Sequence, residues 1–237
     1  MHAGHLILPI LLLSACGIAE STAAGPSGTR SFDASGFDEV ELAGSDNVRV
    51  IAGSTFSVQA TGPEEILERL KINVKGSRLV IGRKSQNWVA GWQNSESALV
   101  TVTMPTIKAA SLAGSGDMAI DRVETAAFEA NLAGSGNLSV KSAQVETLEV
   151  NIAGSGDIAL AGTTKTVDIS IAGSGDVSAK ELTAADARIS IAGSGNVDTR
   201  VTGSASISLL GSGDVTINGT ANCKTSKMGS GEVRCTP

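Results

Sequence analysis

The chain has 237 residues, with 24 acidic against 18 basic side chains and a formal net charge of −6. Aromatic residues make up 3 % of it, Tyr is absent and Gly occurs 28 times, a composition that suits narrow aliphatic layers better than a wide aromatic core. No basic stripe or run appears after residue 15, so nucleic acid is excluded as an expected partner.

The N-terminus opens with an apolar run from His2 to Leu13, too short to span a bilayer. It is followed by Ser14-Ala15-Cys16-Gly17. Leu13-Ser14-Ala15-Cys16 resembles the lipobox of bacterial lipoproteins, in which the signal peptide is cut before the Cys and the thiol is acylated. That resemblance implies a signal peptide over residues 1–15 and a membrane as partner through a lipid on Cys16. Gly17 resembles outer-membrane members, which puts the product in a bacterial cell envelope, anchored to the outer membrane and facing the periplasm or the surface. The usual basic n-region is missing, with only His2 and His5 ahead of the apolar run, and an ordinary secretory signal with an incidental Cys is the alternative. Both readings take the protein out of the cytoplasm. Residues 16–30 are small, polar and without period, the composition of a flexible tether with no fixed structure.

A folded domain is expected over 31–237, irregular over 31–108 and regular over 109–237. In the irregular part, segments such as Asn47-Val48-Arg49-Val50, Arg78-Leu79-Val80-Ile81 and Leu99-Val100-Thr101-Val102 alternate apolar and polar residues and read as strands. Gly62 to Leu70 places Pro63 at a helix start, acids in the first turn and apolar residues at helical spacing, which predicts one short helix.

The regular part repeats itself. Gly-Ser-Gly recurs with its first glycine at Gly114, Gly134, Gly154, Gly173, Gly193, Gly211 and Gly229, at steps of 18 to 20 residues, and a degenerate copy, Gly44-Ser45-Asp46, lies upstream. If that first glycine is called g, positions g−6, g−4, g−2, g+4 and g+6 are apolar in almost every copy. Such alternation on both sides of a glycine corner predicts two short strands per repeat, each turning one face inward. Asp or Asn at g+3, as in Asp117, Asn137, Asp157, Asp176, Asn196 and Asp214, is suited to bonding backbone N–H groups at the corner. One rung alone buries too little apolar surface to offset the entropy of ordering it, so rungs must stack. The predicted fold is all-β: a single-stranded parallel β-helix with rungs of about 20 residues, right-handed by analogy with most such helices. Cys223 and Cys235 fall at g−6 and g+6 of the last copy, on the inward face of the final rung, and are expected to form a disulfide that clamps the C-terminal end. A redox pair or metal ligands are the alternatives.

Phe37-Asp38-Glu39-Val40, Val100-Thr101-Val102-Thr103-Met104-Pro105, Leu112-Ala113-Gly114-Ser115-Gly116-Asp117 and the Cys223 to Cys235 end, in that order, resemble the bacterial "putative auto-transporter adhesin, head GIN domain" family over residues 31–237. The resemblance implies an exported β-helical domain and carries no catalytic residue with it. The chain departs from the pattern at Gly44-Ser45-Asp46 and in the Trp-bearing segment from Gln86 to Asn94.

Three candidate sites remain. Trp88 and Trp92 share a polar, Gly-containing segment and suit stacking on sugar rings or anchoring a protein partner, against local packing as the plain alternative. The column of Asp117, Asp157, Asp176 and Asp214 is a weak Ca²⁺ candidate, since each rung offers one side chain and other copies carry Asn, and turn chemistry is the simpler account. Neighbouring Asp157 and Asp176 suggest a polysaccharide-cleaving enzyme, but the same acid recurs at the same corner, and no His or Tyr follows residue 15. The expectation is a non-catalytic binding, adhesion or scaffolding module with no cofactor and a glycan or envelope protein as partner. A glycan-active β-helix enzyme is the runner-up.

Overall fold

The computed structural model describes residues 27–84, 96–220 and 222–237. Its strands form one continuous sheet wound into a parallel solenoid. In chain order they are β1 (Ser27–Phe32), β2 (Glu39–Gly44), β3 (Asn47–Ala52), β4 (Ser57–Pro63), then helix α1 (Glu64–Arg69), β5 (Leu70–Lys75), β6 (Arg78–Arg83), β7 (Leu99–Met104), β8 (Ala109–Gly114) and β9 (Asp117–Ile120). The regular rungs follow as β10 (Val123–Gly134), β11 (Asn137–Gly154), β12 (Ile158–Gly173), β13 (Val177–Gly193) and β14 (Val197–Gly211), and the last turns are β15 (Val215–Asn218), β16 (Cys223–Met228) and β17 (Val233–Thr236).

The apolar alternation becomes columns. Leu112, Leu132, Ile152, Ile171, Ile191 and Leu209, all at g−2, stack in register from rung to rung and are all buried. Each corner glycine sits directly over the one before it, as Gly154 does over Gly134 and under Gly173. There the N–H groups of Ser155 and Gly156 both donate to the Gly134 carbonyl, at 2.9 and 3.1 Å. Gly154 has φ +140°, and a Cβ on it would run into the Gly134 carbonyl, so both conformation and space require glycine.

Two expectations need correction. Each regular rung has three parallel segments rather than two, because Ala143–Val145, Gly162–Thr164 and Leu182–Ala184 pair as a third side. Register shifts between Val140 and Ala143, Ala159 and Ala161, and Ala179 and Thr183 show that rung-length differences are absorbed there. The inward residues of this side vary from rung to rung, Ala143 and Val145, then Thr164, then Leu182 and Ala184; Thr164 is buried with its hydroxyl donating to backbone carbonyls, so the apolar period is less regular here. The second correction concerns residues 27–30, placed in the tether by composition. They belong to β1, which pairs antiparallel with β4 and is tied by the Arg30 guanidinium to the Leu67 carbonyl at 3.0 Å. This strand covers an edge without burying a hydrophobic face, so nothing apolar marks it in sequence.

Stacking order departs from chain order at the N-terminal end. The β2–β3 rung lies between the β6–β7 rung and the β8–β9 rung. Antiparallel strands β5 on β6 and β4 on β7, with α1 bringing Ile66 and Leu67 into the core, cap that end. The altered corner Gly44-Ser45-Asp46 now has a reason. The neighbouring β6–β7 rung carries no Gly-Ser-Gly corner, and the fully buried Asp46 side chain enters the space where one would stack. There Asp46 accepts two hydrogen bonds from Arg83, at 2.7 and 2.8 Å, and one from the Ala98 N–H at 2.8 Å. Bidentate pairing and a backbone donor satisfy a carboxylate that burial would otherwise penalise heavily. At the other end, Cys223 and Cys235 form the expected disulfide, and the inward-register Lys227 donates to the Gly231 carbonyl at 2.8 Å.

Candidate functional site

The segment from g−5 to g−1 makes one side of the solenoid, and its outward residues form three columns. At g−5 stand Glu129, Glu149, Asp168, Arg188, Ser206 and Lys224; at g−3, Asn131, Asn151, Ser170, Ser190, Ser208 and Ser226; at g−1, Ala133, Ala153, Ala172, Ala192, Leu210 and Met228. Parallel stacking in exact register is what turns a residue position into a line of like groups about 4.8 Å apart.

Two concavities mark this side. The larger is a groove of about 740 Å³ at the corner where the chain enters it. Thr166, Asp186, Ser204 and Asn222 make one wall, and Asp168, Arg188, Ser206 and Lys224 make the other. Asp186 accepts the Ser204 hydroxyl at 2.6 Å and the Ser204 N–H at 3.0 Å. Those two donors, the hydroxyl first, hold its carboxyl below the usual carboxylate range. Arg188 lies 3.6 Å from Asp168, whereas Lys224 joins no ion pair among the described residues. The groove therefore presents carboxylates, cations, hydroxyls and an amide on both sides of a channel that crosses several rungs. The smaller concavity is a shallow hollow of about 480 Å³ lined by the Ala and Asn/Ser columns from Asn131 to Ala192.

The Asp/Asn column is a ladder. Asp117 Oδ1 accepts the Asn137 N–H at 3.1 Å, Asp157 Oδ1 that of Asp176 at 3.0 Å, Asp176 Oδ1 that of Asn196 at 2.8 Å, and Asp214 Oδ1 that of Glu232 at 2.8 Å. One oxygen of each acid is thus spent on the rung that follows. No group of three or more potential ligands suited to a metal ion occurs among the described residues. Cys16, Trp88 and Trp92 lie outside the described residues. Sequence reasoning passed over the groove, although its signal was present: the outward positions g−7 and g−5 carry charges and hydroxyls that change from copy to copy while the inward positions stay aliphatic.

These features define an all-β, single-chain parallel solenoid that carries its variable chemistry on its outer faces. The family model for "putative auto-transporter adhesin, head GIN domain" matches residues 36–221, and the chain belongs to that family. Among solved structures, a putative adhesin from Bacteroides fragilis is similar at 24 % identity and TM-score 0.80, covering 92 % of this chain and all of its own. A putative lipid binding protein from Parabacteroides distasonis shares 26 % identity at TM-score 0.70, covering 89 % of this chain and 97 % of that one. A putative adhesin from Parabacteroides merdae, at 19 % identity and TM-score 0.66, covers 89 % and 96 %. No curated protein matches the chain.

Proposed function

We propose that the protein is an exported, lipid-anchored component of the bacterial cell envelope that acts as a non-catalytic adhesion module, holding an extended polar ligand such as a glycan chain in the groove. The observation that carries this reading is the groove itself: hydroxyl, amide and charged groups at rung spacing along two walls match the periodic donors and acceptors of a linear polymer. Its acid Asp186 supports binding over catalysis. Asp186 is held ionised by two donors, so it is not poised as a proton donor near neutral pH. Family membership points the same way, since similar solved structures are a putative adhesin and a putative lipid binding protein.

The test is a binding screen of the full chain carrying Cys16→Ser against a glycan array and against vesicles of zwitterionic and anionic lipid, with and without Ca²⁺. A variant carrying Asp186→Ala and Asn222→Ala should lose glycan binding by at least about tenfold, the scale of one or two hydrogen bonds to charged or polar groups. Loss confined to Trp88→Ala/Trp92→Ala would move the site to that segment. Absence of glycan binding under every condition would overturn the reading.

A further inference from the structure

The outer columns of the g−5 to g−1 side are complementary to themselves when one copy is turned end for end. Over the six rungs from Glu129 to Lys224 the g−5 column is acidic in its first half, with Glu129, Glu149 and Asp168, and basic in its second, with Arg188 and Lys224; it continues N-terminally through Ala109 and Glu39, beyond the paired rungs. Hydrogen bonds from Asn131 Nδ2 at 2.7 Å and Asn151 Nδ2 at 3.0 Å hold the Glu129 and Glu149 carboxylates over the face. At g−1 the first half is a run of alanines over a shallow apolar hollow. The second half ends in Leu210 and Met228, neighbours across the β14–β16 ladder and 55 % and 72 % exposed, the two most exposed large hydrophobic side chains among the described residues. Solvent-facing apolar groups of that size beside polar columns mark an interaction surface.

The geometry points to a second copy of this chain as the occupant, docked by the same g−5 to g−1 side with the solenoid axes antiparallel about a twofold axis that lies between the Asp168 and Arg188 rungs. A twofold axis along the strand direction reverses the stack while keeping each column opposite itself. Glu129 then faces Lys224 of the second copy and Asp168 faces its Arg188. Ala133 and Ala153 receive Met228 and Leu210, and the Asn and Ser columns meet across the centre. Every knob falls on a hollow and every basic residue on an acid. Six rungs at about 4.8 Å and five residues per strand at about 3.3 Å cover roughly 475 Å² on each copy. That is the low end of specific interfaces and implies a weak dimer that forms as concentration rises. Taking the N-terminal lipid anchor of the proposed function, the antiparallel arrangement puts the two anchors at opposite ends of the pair, as copies on two facing surfaces would require.

Sedimentation of the full chain carrying Cys16→Ser tests this. The mass should climb from one chain toward two between micromolar and near-millimolar concentration, and Leu210→Asp/Met228→Asp should remain monomeric. Glu129→Lys alone and Lys224→Glu alone should each shift the midpoint up by at least about tenfold, and the double exchange should restore it. Glu129 and Lys224 of one chain are five rungs apart, about 24 Å, so such a rescue has no explanation within one copy. A monomer at all concentrations, or a double exchange no better than the single changes, would overturn the proposal. Leu210 and Met228 lie outside the groove, so glycan binding by the Leu210→Asp/Met228→Asp variant separates this inference from the binding function.

Discussion

Gly44 and Gly154 stand at the same corner of different rungs, with φ +138° and +140°, yet they meet different surroundings. A Cβ at Gly44 finds nothing within 4 Å, whereas one at Gly154 strikes the backbone of Gly134. Gly44→Ala is therefore expected to cost only conformational strain, about 1–2 kcal/mol. Gly154→Ala adds a backbone collision and should cost clearly more, about 3 kcal/mol or above, in urea unfolding. Asp186 supplies a second residue-level prediction. Its folded pKa is depressed, chiefly by the Ser204 hydroxyl. Its contribution to stability is thus complete above the unfolded carboxyl value, about 3.9, and fades as pH falls through the lower folded value. Ser204→Ala should move the Asp186 titration back toward the ordinary value, so that this loss begins at higher pH. Carboxyl-detected NMR titration reads the shift directly.

At the scale of elements, the C-terminal turn is the least protected part of the regular stack. Strand β16 has one covered side, against β14, and every one of its residues after Cys223 is exposed. The disulfide closes a span of 12 residues across this end, which the chain-entropy model values at about 3 kcal/mol. Because each rung of a solenoid contacts only its neighbours, that stabilisation is local. Reduction should raise amide exchange through β16 and β17 while the β11 to β13 ladders keep their protection; uniform loss across all rungs would show a single cooperative unit instead. Lys227, tied back to Gly231 at an inward position, adds a charge where a further strand would have to stack. The opposite end is closed by antiparallel strands and α1, so the stack has two differently built stops.

The whole molecule is a column whose stability is expected to scale with rung number. Deleting residues 174–193 joins Gly173 to Ser194 and leaves the corner sequence and register intact. The shortened chain should fold, with a urea m-value lower by about a tenth, in proportion to the surface removed. A shorter chain that fails to fold would show that the shift at the third side, between Ala179 and Thr183, locks particular neighbours together. The groove and the g−5 to g−1 face are whole-molecule properties too, for each draws its residues from several rungs and exists only once they are stacked.

The repeat alone determined the parallel stack, the inward columns, the glycine corners and the inward register of Cys223 and Cys235, because period-two alternation and a recurring tight turn are local signals that every copy repeats. Pro63 with Glu64 and Glu65 likewise marked α1 from neighbouring residues alone. Tertiary structure decided the rest. The insertion of the β2–β3 rung between later strands depends on pairings of high sequence separation, and the Asp46–Arg83 contact that explains the altered corner follows from that order. The third side was hidden because its register shifts with rung length and its inward residues change from copy to copy, and β1 because it covers an edge without burying a face. The charges of the g−5 column were legible one by one, but their meaning as a groove wall and a complementary face came from stacking, which brings residues some twenty positions apart to neighbouring places.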